Sequence, residues 1–157
     1  MIGLEKIKIS LLKGETIEKI LENFNWKEFE EVIAEIFRRN EFKVKQNFRF
    51  KTKRRFEIDI IAMKGDLVFC VDCKEWGKGR YKKTGLRHAA KNQEKRVEEL
   101  ENLIKKNPII RNIFEINKNC KFFLLVVTLL EEDLIKENNV FIVPVWKLNN
   151  FLLEIYI

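Results

Sequence analysis

Two of the chain's four aspartates stand inside its two most strand-like segments, FEIDIIAM and LVFCVDCK. Aspartate is depleted in strands, because a short charged side chain packs poorly on a half-buried pleated surface. The two runs, Phe56–Met63 and Leu67–Lys74, are joined around Lys64-Gly65-Asp66. A two-residue turn on Gly65-Asp66, with glycine first, favours type II′. That turn opposes Asp59 to Asp72 and Glu57 to Lys74; a four-residue loop keeps this register, and a three-residue loop shifts it by one. Strict alternation then puts Cys70, Asp72 and Lys74 on the face of Glu57 and Asp59.

Directly opposed residues hold their Cβ atoms about 4.5–5.5 Å apart, and like charges there are destabilising. Two such carboxylates share a proton or bind a cation. Oxygen donors suit Mg²⁺ or Mn²⁺, which keep waters and a substrate phosphate in their shell. Lys74 adds positive charge on the same face, which completes the requirements of metal-assisted phosphodiester hydrolysis. The alternative is a pair of sheet-edge charges, each in an ion pair with a nearby Lys or Arg.

The remaining pattern predicts an α/β fold, a mixed central sheet flanked by helices in the order α-β-β-β-α-β-β-α. The first 13 residues read as a short apolar segment, a strand, ended by Gly14. A helix capped by Thr16 runs to about Phe24. A stronger one starts at Asn25, with Glu28 in capping-box spacing and Trp26, Phe29, Val32, Ile33, Ile36 and Phe37 on one face. Residues 42–50 read as an exposed basic strand. A long helix runs from near Gly85 to before Pro108, with Leu86, Ala89, Ala90, Val97, Leu100 and Ile104 on one stripe. The run KFFLLVVTLL (121–130) suits a strand covered on both faces. Val140–Val145 reads as another strand and Leu148–Ile155 as a short closing helix. The whole of 1–157 is expected to be one domain, with a core at about 25–130, an N-terminal extension at 1–24 and a C-terminal strand and helix at 138–157.

At Asp59 and Asp72-Cys73-Lys74 the chain resembles the PD-(D/E)xK, or restriction-endonuclease-like, nuclease superfamily. The superfamily's αβββαβ core matches the order from Asn25 to Thr128. Two positions depart from its pattern: Ile58 replaces a frequent proline, and Asp72 takes the commoner glutamate position. The resemblance implies that Asp59 and Asp72 are metal ligands, that the Cys73 carbonyl contributes a further one, and that Lys74 positions or activates water. It is nearest to Mrr-like endonucleases and archaeal Holliday-junction-resolvase-like proteins.

Two helix residues join this set. Glu30 lies at the border of the apolar stripe of its helix, while Glu31 points away. Phe29-Glu30 followed by Val32-Ile33-Ala34 resembles the first helix of Mrr-like endonucleases, where a glutamate completes the metal site. The alternative for Glu30 is a solvated helix glutamate. Gln93 sits mid-stripe between Ala90 and Val97, and a buried glutamine needs hydrogen-bond partners. Resolvase-like and RecB-like branches of the superfamily place a glutamine on this helix near the site; the alternative is a structural glutamine bonded to backbone. Arg96 could reach phosphate or simply solvent.

Charge fits the same picture. The chain carries 31 Lys and Arg against 24 Asp and Glu, a net charge of +7, which points to an anionic partner. Lys51, Lys53, Arg54 and Arg55 precede the first aspartate strand, and Lys78, Arg80, Lys82, Lys83 and Arg87 follow the second. Phe48, Phe50, Trp76 and Tyr81 interleave with these cations. Two cationic runs bracketing the carboxylates suit the backbone of a polyanion, here DNA.

Other chemistries are excluded. One serine (Ser10) and one histidine (His88) leave no material for a histidine zinc site and little for a triad. Cys70 and Cys73 are spaced as CxxC, but on a strand they point to opposite faces. GKGRYKKT (77–84) has Lys82 where a phosphate-binding loop needs glycine. Three cysteines, no apolar run of membrane-spanning length and no signal-peptide-like start predict a cytoplasmic protein. The expected function is a Mg²⁺- or Mn²⁺-dependent DNA endonuclease. The alternatives are a non-catalytic nucleic-acid-binding module or an RNase of the same fold. The apolar segment FLLEIYI is the expected interface of a homodimer.

Overall fold

A computed structural model describes residues 3–74, 82–117, 119–132 and 134–155. Its centre is a six-stranded mixed sheet in the order β1-β2-β3-β4-β6-β5. The strands are β1 Lys43–Lys51, β2 Arg55–Lys64, β3 Leu67–Lys74, β4 Lys121–Thr128, β5 Lys136–Glu137 and β6 Val140–Pro144. The first three form an antiparallel meander, and β3, β4 and β6 run parallel. The fold is α/β, with helices on both faces.

One face is covered by α1 Gly3–Leu12, α2 Ile17–Glu22, α3 Trp26–Arg39 and α6 Leu148–Ile155, and the other by α4 Lys82–Lys106 and α5 Pro108–Phe114. Helix α3 begins at a capping box: Asn25 accepts from the Glu28 amide at 2.8 Å, and Glu28 accepts from the Asn25 amide at 3.3 Å. It buries Phe29, Val32, Ile33 and Phe37 as the stripe predicts, while Trp26 stays largely exposed. On α4 the predicted stripe from Leu86 to Ile104 is buried.

One expectation is corrected and two details are added. The strand expected in the first 13 residues is instead a helix over Gly3–Leu12. The alternation in KIKIS imitates a strand, but Ile7 packs into the core and Gly3 lets the helix lie against α3. A Cβ on Gly3 would stand 2.8 Å from Val32 Cγ2. Helix α5, unassigned in the sequence reading, starts at Pro108 with Asn107 accepting from the amides of Ile109 and Ile110. The FLLEIYI segment is not uniformly exposed, since Leu152 is buried in the core and Phe151 packs on Phe141 at 5.3 Å. Among the described residues no helix is long and apolar enough to cross a membrane.

Candidate active site

The β2–β3 register is the one the turn predicts: Ile60 pairs with Val71, Ile61 with Cys70 and Lys64 with Leu67. Gly65 has φ +58 and Asp66 is not left-handed, as a type II′ turn requires. The register carries Asp59 alongside the end of β3, where its Oδ2 accepts from the Cys73 amide at 2.9 Å.

Strict alternation fails at one point, and the failure builds the site. The β1–β2 ladder is continuous from Lys43↔Met63 to Lys51↔Arg55 except for the missing rung between Asn47 and Asp59. Asn47 is left-handed, with φ 52. Beyond the gap the faces exchange: Val44, Ile60 and Ala62 belong to the core under α3, whereas Phe48, Phe50 and Ile58 belong to the core under α4. Glu57 is therefore not on the face of Cys70, Asp72 and Lys74. It lies toward α3, pairs with Arg49 at 2.9 Å and raises the Glu30 pKa. Asp59 stands at the crossing, with Glu30 of α3 on one side and Asp72 of β3, which faces Arg96 of α4, on the other.

Glu30, Asp59, Asp72, Cys73, Lys74 and Gln93 all lie within the described residues. Glu30, on α3, is 2% exposed, and neither carboxylate oxygen has a hydrogen-bond partner. Burial, with Asp59 and Glu57 adding repulsion, pushes its pKa up to about 7; the side chains of Gln46 and Asn47 approach it and oppose the rise. Asp59 is raised to about 6, by burial first and by Asp72 next, against the lowering effect of the Cys73 amide. Asp72 is buried, with Oδ1 3.7 Å from an Arg96 nitrogen and Oδ2 3.4 Å from Lys74 Nζ. Gln93 is fully buried; its Oε1 accepts from Arg96 at 3.1 Å, and its Nε2 has no partner. The Cys73 side chain points into the α3-side core and Cys70 into the other, so the CxxC spacing clasps nothing.

Lys51, Lys53, Arg54 and Arg55 are exposed around the β1–β2 turn. That turn lies at the end of the sheet where β3 leaves toward α4. Lys83 and Arg87 are exposed at the start of α4, with Arg87 3.5 Å from Glu137. Lys78, Arg80 and the Lys82 side chain lie outside the described residues, as do Trp76 and Tyr81.

Sequence reasoning left Arg96 between phosphate and solvent, although its spacing three residues after Gln93 puts the two side by side on α4. It also passed over Glu35, which α3 buries with Oε2 unpartnered. An apolar stripe alone does not separate that glutamate from its solvated neighbours.

Among the described residues no three His, Cys, Asp or Glu side chains are gathered closely enough to hold a metal ion as they stand. The donors nevertheless fit one. Buried carboxylate oxygens without hydrogen bonds are costly; both Glu30 oxygens are of this kind, and Asp72 Oδ2 meets only the Lys74 ammonium, beside an Asp59 whose charge is disfavoured by burial and by Asp72. A hard cation among oxygen donors removes both penalties.

Residues 21–119 match the Mrr catalytic-domain family, described as restriction endonuclease. The chain belongs to the restriction endonuclease family. The matched span runs from α2 through α5 and includes every carboxylate of the site. A relative from Archaeoglobus fulgidus, itself an uncharacterized protein, is 30% identical over 132 residues, covering 83% of this chain and 92% of its own length. A solved structure, that of the protein of unknown function AF1548, is similar at a TM-score of 0.38 and 15% identity. That similarity covers 79% of this chain, which spans only 54% of the AF1548 chain. Family membership makes this a nuclease of the restriction-endonuclease-like type, with the face-crossing at Asp59 as its candidate centre.

Proposed function

We propose that this restriction endonuclease family member is a divalent-metal-dependent DNA endonuclease with Asp59, Asp72 and Glu30 as its acidic centre. One observation carries the reading: Asp59 sits where the sheet exchanges faces, so the helix carboxylate of Glu30 and the strand carboxylate of Asp72 approach it from opposite faces of the sheet. Asp59, Asp72, Glu30 and the Cys73 carbonyl would hold Mg²⁺ or Mn²⁺. Such an ion, when bound, acidifies a water and offsets charge developing on the phosphoryl oxygens.

The chain's own residues do the rest. The Cys73 amide fixes one Asp59 oxygen and leaves the other to turn toward the centre. Lys74, 3.4 Å from Asp72, holds its ammonium beside the acids, where it orients the attacking water or stabilises the anionic transition state. Gln93 orients Arg96 through its Oε1 and keeps Nε2 available to a water or phosphate oxygen. The exposed cations of the β1–β2 turn and the α4 start grip the DNA backbone on either side.

The test is cleavage of a panel (supercoiled plasmid, linear duplex, branched junction, single-stranded DNA and RNA) with Mg²⁺ or Mn²⁺. Asp59→Ala and Asp72→Ala should each lower cleavage by more than about 10²-fold, since even outer partners of metal sites cost 10- to 100-fold. Wild type that binds DNA but cuts nothing in either metal would sink the enzyme reading in favour of a binding module. Cleavage confined to RNA would reassign the substrate.

A further inference from the structure

The β1–β2 hairpin carries a column of stacked planar groups that the cleavage chemistry does not use. Phe48 stacks on Phe50 with centroids 5.8 Å apart and planes 24° apart, and Phe50 stacks on Phe56 at 5.4 Å and 20°. The guanidinium of Arg54 lies 4.8 Å over the Phe56 ring and forms the last layer. At its inner end the column is anchored, since Phe48 meets Phe114 of α5 edge-on at 4.9 Å. Its outer end is open, because Arg54 is exposed. A groove at the same place is lined by Arg49, Phe50, Lys51, Arg55, Phe56 and Glu57.

The Phe50–Phe56 cross-strand pair stabilises the hairpin; an exposed guanidinium plane as a fourth layer adds little to that. Nucleobases stack on aromatic rings and on Arg planes alike. The surrounding cations complement a phosphate backbone. Phe56 precedes Asp59 by three residues on one strand, about 10 Å at the rise of a strand. That is about three steps of stacked DNA at 3.4 Å each.

We infer that this column is a stacking platform for an unpaired DNA base about three to five nucleotides from the cut, so that the protein prefers DNA with a bulged, frayed or branched base there. The base adds to the column on Arg54 or slides between Arg54 and Phe56, while the hairpin cations hold its flanking phosphates. This rests on the DNA endonuclease reading for the position of the cut, but the platform itself needs no metal.

The experiment compares binding of the full chain, in EDTA, to a duplex with one unpaired base and to the same duplex fully paired. Wild type should favour the unpaired base by about 5- to 150-fold, the range that stacking of one base supplies. Arg54→Lys keeps the charge and loses the plane, so it should keep the salt dependence while the preference falls toward one. Arg54 is exposed, so melting should not move. Equal affinity of wild type for the two duplexes overturns the inference, as does an unchanged preference in Arg54→Lys or a preference seen only with RNA. Parallel cleavage in Mg²⁺ separates the two ideas. Cutting without preference removes the platform and leaves the nuclease; preference without cutting does the reverse.

Discussion

Asp72 is buried between two cations, and its charge is already partly answered in the protein alone. Arg96 is the one that competes with a metal, because it approaches Oδ1 from α4 and is itself a quarter exposed, free to swing outward. Arg96→Met should therefore bind Mn²⁺ about 3- to 10-fold more tightly, since an opposing charge within 4 Å of the ligand is gone. The same change should slow turnover, because nothing then turns toward the phosphate. A Mn²⁺ titration followed by electron paramagnetic resonance reads the affinity directly. Weaker binding in Arg96→Met would mean that Arg96 holds Asp72 in place rather than competing for it. At this scale much of the site was legible: Asp59 and Asp72 stood out because aspartate is rare in strands, and Gln93 because it interrupts an apolar stripe. Arg96 was not, because a long basic side chain on a helix border reaches solvent or site equally well, and only tertiary packing decides.

At the scale of elements, the hairpin register could be read from Gly65-Asp66 because turn geometry fixes which residues oppose. The exchange of faces at Asn47 and Asp59 could not, since a pattern of period two assumes an unbroken pleat. The sequence offers only a weak sign, an asparagine in a strand, which tolerates left-handed backbone better than most residues. That conformation makes a clean test. Asn47→Gly should fold with stability close to wild type, because glycine occupies the same region at no steric cost. Asn47→Val should lose about 1–2 kcal/mol, because a β-branched side chain in left-handed backbone crowds the carbonyl and lacks the polar group by which asparagine tolerates it, read as a drop in denaturant midpoint. Equal stability of the two variants would show that the kink does not depend on residue 47. Helix α1 was lost in the reading for a related reason: KIKIS alternates like a strand, and packing on α3 overrides that local signal.

At the scale of the whole molecule, the converging carboxylates make folding depend on pH. Glu30 is raised from 4.5 to about 7 and Asp59 from 3.8 to about 6. Both bind a proton more tightly folded than unfolded, so they favour the folded state when protonated. The stability they contribute is complete below about pH 4 and is lost as pH rises through 6 and 7. Across that window the metal-free protein should lose on the order of 2 kcal/mol, about a third of the full conversion at about 1.4 kcal/mol per pKa unit, because Glu30 and Asp59 share one mutual repulsion and the site relaxes around the charges. For a chain of this size that corresponds to a fall in Tm of roughly 4–8 °C. Glu30→Gln keeps the shape and removes the charge, so it should melt higher than wild type at pH 8 and show a flatter profile. Mg²⁺ should raise the wild-type Tm at pH 8, where the acids are charged, and have little effect at pH 5, where protons hold the same oxygens. Thermal melts at both pH values, in EDTA and in Mg²⁺, decide it. A wild-type Tm at pH 8 that is indifferent to Mg²⁺ and Mn²⁺ would mean that the acidic cluster at the crossing of the two faces is not a metal centre.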